Sequence, residues 1–224
     1  EWVSVSTLPA DLKRGNSACV LNNEIYIFTE RTPDYNTYKW NGSSWVALNM
    51  FSANYDHGAF VILNGEMYGV GGIGSQTKMR KWNGSGWTDV ATIPYNFAGC
   101  AVVLNGEIHI LGSSYGTSTL GYYHYKWNGT EWVSVSTLPR TFGYSGRAFV
   151  KNGEINILGG SSGYKIHQKW NGTEWVNVST LPFESNNSSC VQLDGKTYIL
   201  GSNRDNAFTR SIVDDSTFSY LLTP

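Results

Sequence analysis

Internal repetition is the feature that most constrains this chain. Residues Glu1–Pro9 read EWVSVSTLP, the same letters return at Glu131–Pro139, and EWVNVSTLP stands at Glu174–Pro182. Weaker copies start at Trp45 and Trp87. The tryptophans at 2, 45, 87, 132 and 175 are spaced by 43, 42, 45 and 43 residues. A second landmark keeps the same beat: Asn22-Asn23, Asn64-Gly65, Asn105-Gly106, Asn152-Gly153 and Asp194-Gly195. A third is Trp-Asn-Gly at Trp40, Trp82, Trp127 and Trp170. A self-similar period of roughly 40–50 residues marks an architecture in which each unit buries its faces only against its neighbours. The units fill the chain, so residues 1–224 read as one domain without a linker.

Each unit reads as four short strands. The first is small and apolar, as in Ser17-Ala18-Cys19-Val20-Leu21. Asn-Gly or a relative then turns the chain, because these residues tolerate positive φ. The second strand follows the form E-I-x-I-L, as in Glu107–Leu111, and ends near glycine. A variable loop leads to a third strand ending in Lys-Trp. A second Asn-Gly turn leads to a fourth strand, Trp-Val-x-Val, which alternates apolar and polar letters with period two. No stretch has helical periodicity. Four-stranded units repeated this way predict an all-β fold, a five-bladed β-propeller of antiparallel blades. The large Trp and Tyr side chains would fill the wedge between blades. The ring would close by pairing strands from the two termini, with either Glu1–Pro9 or Thr217–Pro224 completing the fifth blade. The chain opens on Glu, not Met, and inside what is elsewhere a hairpin, so it reads as a piece of a longer protein.

The glycine doublet after the second strand (Gly71-Gly72, Gly159-Gly160), the third-strand aromatic (Tyr38, Tyr125) and the Trp of the fourth strand followed by Leu-Pro resemble Kelch repeats. The copies also depart from that pattern. The doublet decays to Thr29-Glu30, Gly112-Ser113 and Gly201-Ser202, and Arg80 and Gln168 stand in place of the tyrosine. The Lys-Trp-Asn-Gly…Trp…Leu-Pro style is similar to repeat proteins of bacteria and their phages, which favours an extracellular or phage-particle setting. Kelch-like propellers include copper-dependent sugar oxidases and sialic-acid isomerising enzymes. The resemblance therefore implies a carbohydrate-active enzyme as the alternative to a binding module, and a purely structural or engineered scaffold as a third reading.

Charge and composition exclude several classes. The 16 Lys+Arg against 17 Asp+Glu leave a formal charge of −1, which gives no basic field for nucleic acid. No apolar run approaches the roughly 18–20 residues of a membrane-spanning helix. Three cysteines do not make a disulfide framework and read as small buried hydrophobes. The histidines His57, His109, His124 and His167 lack metal-site spacing; His124 and His167 hold equivalent places in successive units. The carboxylates Glu24, Glu66, Glu107 and Glu154 recur in register after the tight turns, which marks them as structural and not as an acid/base pair. Turn chemistry also accounts for the Asn-Gly-Ser/Thr sequons at Asn41, Asn83, Asn128 and Asn171. The sequence thus predicts no catalytic set, no metal and no cofactor.

Antiparallel strands put both Asn-Gly turns at one end of each sheet and the long, divergent connections at the other. Variable loops on a rigid frame are where binding concentrates. The candidate ligand-binding residues on those connections are Arg14, Arg31, Tyr55, His57, Phe97, Tyr115, Tyr144, Arg147, Tyr164 and Arg204. Aromatic faces suit sugar rings and, with arginine, protein hot spots, so the expected ligand is a glycan or a protein. Arg147 is singular: Ser17, Ala59, Cys100 and Ser189 hold its place in the other units. It either faces a ligand or bonds carbonyls of neighbouring strands.

Overall fold

The computed structural model describes residues 5–7, 17–28, 37–48, 58–72, 77–114, 122–139, 146–159, 165–181, 185, 188–193, 196–200, 210–213 and 218–221. All regular structure among the described residues is β. Sheet 1 contains β1 (Ser17–Leu21), β2 (Glu24–Phe28), β3 (Thr37–Trp40) and β4 (Trp45–Ala47). Sheet 2 contains β5 (Ala59–Leu63), β6 (Glu66–Val70), β7 (Lys78–Trp82) and β8 (Trp87–Thr92). Sheet 3 contains β9 (Phe97–Leu104), β10 (Glu107–Ser114), β11 (Tyr122–Trp127) and β12 (Trp132–Thr137). Sheet 4 contains β13 (Arg147–Lys151), β14 (Glu154–Leu158), β15 (Ile166–Trp170) and β16 (Trp175–Thr180). Sheet 5 contains β17 (Ser189–Leu193), β18 (Lys196–Leu200), β19 (Arg210–Val213) and β20 (Phe218–Leu221). Strand order within every sheet follows the chain.

The expected five-bladed ring is met in part. Sheets 1 to 4 carry the whole blade pattern. The fifth keeps the strand order but replaces the tryptophan hairpin with Val213 opposite Phe218. The C-terminal segment, as β20, fills the fourth-strand place there, since a short connection lets it pair locally with β19. The sheet therefore needs no strand from the N-terminus. Residues near the N-terminus hold a different place: Trp45 Nε1 donates to Ser6 Oγ at 3.0 Å, as Trp175 Nε1 donates to Ser136 Oγ at 3.0 Å. Ser6 thus stands to β4 as β12 stands to β16.

The chain forms two compact units, Glu1–Ala98 and Gly99–Pro224. In the first, Tyr26 and Phe28 of sheet 1 meet Phe60 and Met67 of sheet 2. The Phe28 and Phe60 rings stack with centroids 3.7 Å apart. In the second, Val102, Leu111 and Leu138 pack against Ile155, Ile157 and Trp170, and Phe149, Leu158, Leu181 and Ile199 continue the core toward sheet 5. These clusters are apolar area taken from water, the main force joining one sheet to the next.

The two hairpins of sheets 1 to 4 are built differently. The first is a two-residue turn with both residues at positive φ: Asn22 and Asn23, Asn64 and Gly65, Asn105 and Gly106, Asn152 and Gly153. This twist matches that of the strands it joins. The second is not a tight Asn-Gly turn but a four-residue loop. In it the Asn side chain takes the place of a backbone acceptor: Asn171 Oδ1 accepts from Thr173 N and Glu174 N, both at 2.9 Å, and from Thr173 Oγ1 at 2.9 Å. Asn41, Asn83 and Asn128 repeat that geometry. The loop brings its flanking tryptophans opposite one another, as with Trp170 and Trp175, whose centroids lie 5.6 Å apart.

Candidate functional site

The sheet order places both hairpins of every blade at one end and the remaining connections at the other. At the hairpin end the chemistry is repetitive. Each first-turn glutamate pairs with the lysine that precedes a tryptophan: Lys39 with Glu24 at 2.9 Å, Lys81 with Glu66 at 2.6 Å, Lys126 with Glu107 at 3.0 Å and Lys169 with Glu154 at 2.8 Å. The Lys39 ammonium holds the Glu24 carboxyl below its ordinary range, and Lys81 does the same to Glu66. These groups are committed to one another, which supports their reading as structural.

At the other end, the glycine doublets let the chain turn close to its neighbour. Gly71 has φ +71, and a Cβ there would sit 2.5 Å from the Phe97 ring. Phe97 is itself fully enclosed, edge-on to Tyr95. This corrects the expectation that it meets a ligand: the ring is a core side chain filling the space the glycine leaves.

Arg147 opens β13 at this end and is half-buried. Its Nε donates to Ser188 O at 2.7 Å and its Nη1 to Gly146 O at 3.0 Å. Of the two sequence readings, the contact with carbonyls is therefore present. The guanidinium lies close enough to Cys100 and Cys190 to favour their thiolates, yet burial dominates and pushes those thiols up to about 12 and about 11. Both cysteines remain protonated at neutral pH, as does Cys19, raised to about 12 by burial. The cysteines are half-buried, not fully enclosed, and unbridged. Arg14, Arg31, Tyr55, His57, Tyr115, Tyr144, Tyr164 and Arg204 lie outside the described residues, so Arg147 is the one candidate whose surroundings are defined and not fully buried. Among the described residues, no group of three or more His, Cys, Asp and Glu side chains gathers as a metal site would.

Sequence reasoning missed a buried polar network. His109 Nδ1 lies 2.8 Å from His124 Nε2, His124 Nδ1 lies 3.3 Å from Ser136 Oγ, and Trp175 Nε1 donates to the same hydroxyl. In the next sheet His167 bridges Asn156 Oδ1 at 2.9 Å and Ser179 Oγ at 3.3 Å. The signal available was alignment: His109 and Asn156 share one repeat position, and each has a histidine diagonally across on the third strand.

Consecutive four-stranded antiparallel sheets, each with its hairpins at one end and its other connections at the opposite end, define a β-propeller. Among solved structures the chain is similar to YjhT, described as "Structure of YjhT": the TM-score is 0.78 at 13% identity, over 99% of this chain and 87% of that one. At that identity the likeness speaks for the fold alone. No protein-family model matches the chain, and no curated protein matches it. The Kelch resemblance therefore rests on the residues quoted above.

Proposed function

We propose that this propeller is a non-enzymatic recognition module that binds a glycan or a protein through the connections opposite its hairpins, with its five sheets serving as the blades of one ring. The observation that carries this reading is the asymmetry between the ends. In sheets 1 to 4 one end is consumed by recurring turns and Lys–Glu pairs. The other carries the connections that differ from unit to unit and begins β13 with the singular Arg147. Surfaces that bind are built from such variable segments on a fixed frame. The arginine suits a carboxylate, a sugar hydroxyl or a backbone carbonyl of a partner, and the neighbouring aromatics in sequence suit a sugar face. The protonated, half-buried thiols and the pairing of the repeated carboxylates favour binding over catalysis. An extracellular or phage-particle surface agrees with the repeat style.

The test is a glycan array probed at high protein concentration, because one shallow site reaches only about millimolar Kd, roughly −4 kcal/mol. Hits that weaken at least tenfold in Arg147→Ala, with unchanged thermal unfolding, are the expected result. Unaltered binding in that variant removes Arg147 from the site, and stoichiometric copper in the purified protein would overturn the non-enzymatic reading.

A further inference from the structure

The hydrogen bonds of the buried histidines assign their protons. In sheet 4, Asn156 Nδ2 donates to Glu154 O at 3.2 Å, so Asn156 Oδ1 is the acceptor that faces His167. His167 Nε2 therefore carries hydrogen, and in its neutral form His167 turns a bare Nδ1 toward Ser179 Oγ. His124 holds the same register as His167, opposite Leu111 as His167 is opposite Leu158. With the same tautomer, His124 Nε2–H donates to His109 Nδ1, and Ser136 O–H donates to His124 Nδ1. Ser136 Oγ in turn accepts from Trp175 Nε1–H, which can only donate. The result is a one-way chain from Trp175 through Ser136 and His124 to His109, joining β16, β12, β11 and β10.

An added proton forces this chain to rearrange. On His109 Nδ1 it would face the hydrogen already on His124 Nε2 and break that contact. On His124 Nδ1 it would make the Ser136 hydroxyl turn from donor to acceptor and would leave a charged ring in an enclosed site. His124 is fully enclosed, edge-on to Trp170 at 5.2 Å and tilted against Trp175 at 5.5 Å, and His109 is 5% exposed. The charged groups that bear on the pair are Lys126, opposite His109, and Glu107, which Lys126 already engages at 3.0 Å. Lys126 opposes a second positive charge beside it; Glu107 partly offsets that at His109.

We propose that the His109–His124 pair is an acid-sensitive latch, which ties sheet 3 to the tryptophans of sheet 4 while both rings are neutral and releases that contact when acid forces a proton onto it. Burial, set against the pull of Glu107 and aided by Lys126, holds His109 at about 4. Burial, then His109, then Lys126 hold His124 at about 3. The folded values lie below the unfolded one of roughly 6.5, so the unfolded chain binds more protons in acid. The latch's contribution is full above about pH 6.5 and drains as pH falls toward the folded values, by up to tenfold per pH unit for each ring.

The test compares the full chain with His109→Asn, which recreates in sheet 3 the Asn156–His167 arrangement of sheet 4. Unfolding equilibria are measured from pH 7.5 to 5. The variant is expected to stay folded at pH 7.5 and to lose about one proton from the pH slope of the equilibrium constant; a slope identical to that of the wild type overturns the latch. Should the variant fail to fold, 15N shifts of the wild-type imidazoles decide the matter. Neutral Nε2–H rings for both His109 and His124 at pH 6 support the proposal, and ordinary titration of either ring near 6.5 overturns it.

Discussion

Sheets 1 and 2 and sheets 3 and 4 fill the same repeat position in opposite ways. In the first pair that position, on the second strand, is tyrosine. The rings of Tyr26 and Tyr68 run outward, and their hydroxyls donate to Glu24 at 3.2 Å and Glu66 at 3.0 Å. The third-strand residues beside them, Thr37 and Met79, bring no ring nitrogen. In the second pair the position is His109 or Asn156, too short to reach the glutamate carboxylate. Each turns instead to a buried histidine, His124 or His167. A long side chain can carry its polar tip to water's edge, whereas a short one must find its partner inside. One backbone therefore tolerates two polar solutions, and the buried one obliges the third strand to change as well.

The largest break in this comparison is His124→Ala. It opens a cavity against Trp170 and Trp175 and strips partners from His109 and Ser136, which together cost about 3 kcal/mol or more. The matching change in sheet 1 is Thr37→Val. Thr37 is fully enclosed, and its Oγ1 has no hydrogen-bond partner among the described residues. Replacing that hydroxyl with a methyl shifts stability by no more than about 0.5 kcal/mol and in the favourable direction, since a buried unsatisfied group is costly to keep. Urea midpoints of the two variants decide it; equal losses would mean the third-strand position is generic packing.

A smaller effect separates sheet 3 from sheet 4. Asn156→His gives sheet 4 the His–His arrangement of sheet 3. Its new ring, buried like His109, is neutral when folded and protonated when unfolded in mild acid. Stability then falls further as pH drops from about 6.5 to 5, by up to roughly 1.4 kcal/mol per pH unit beyond the wild type. An unchanged pH slope, with an unchanged stability at pH 7.5, would show that the site admits water to the imidazole.

Strand order and hairpins were legible because their causes are local. Asn22-Asn23 and Asn64-Gly65 announce positive φ by residue type, and the letters around each Trp-Asn-Gly recur so closely that one blade explains the next. The second hairpin was only half legible. Asn-Gly suggested a tight turn at Asn41 and Asn171, but the side-chain amide spans a longer loop there. The histidine pair escaped notice because His109 and His124 are joined by strand register, which a linear reading does not display. The candidate site was least legible. Arg147 stood out by substitution among small residues, but Phe97 resembled a loop aromatic because its burial depends on Gly71, a residue distant in the chain. Connections such as those bearing Tyr55, Tyr144 and Arg204 have no periodicity to read.

The smallest expected effect tests the outward solution itself. Tyr26→Phe keeps the ring that packs with Phe28 and removes only the hydroxyl that meets Glu24. Burial of the ring, then the bond to Glu24, raises the Tyr26 hydroxyl above its usual range, so it is a neutral donor at every working pH. Its acceptor is a half-exposed carboxylate that Lys39 already engages, and water can replace the lost bond on both sides. The expected change in melting temperature is about one degree or less. If outward reach were what selects tyrosine here, the loss would instead approach that of a buried hydrogen bond, about 1 kcal/mol or more. A near-zero result places the selection on the ring, which fills the space between sheets 1 and 2. It would also explain why a repeat that gives up the phenol ring, as at His109 and Asn156, needs a histidine from the third strand.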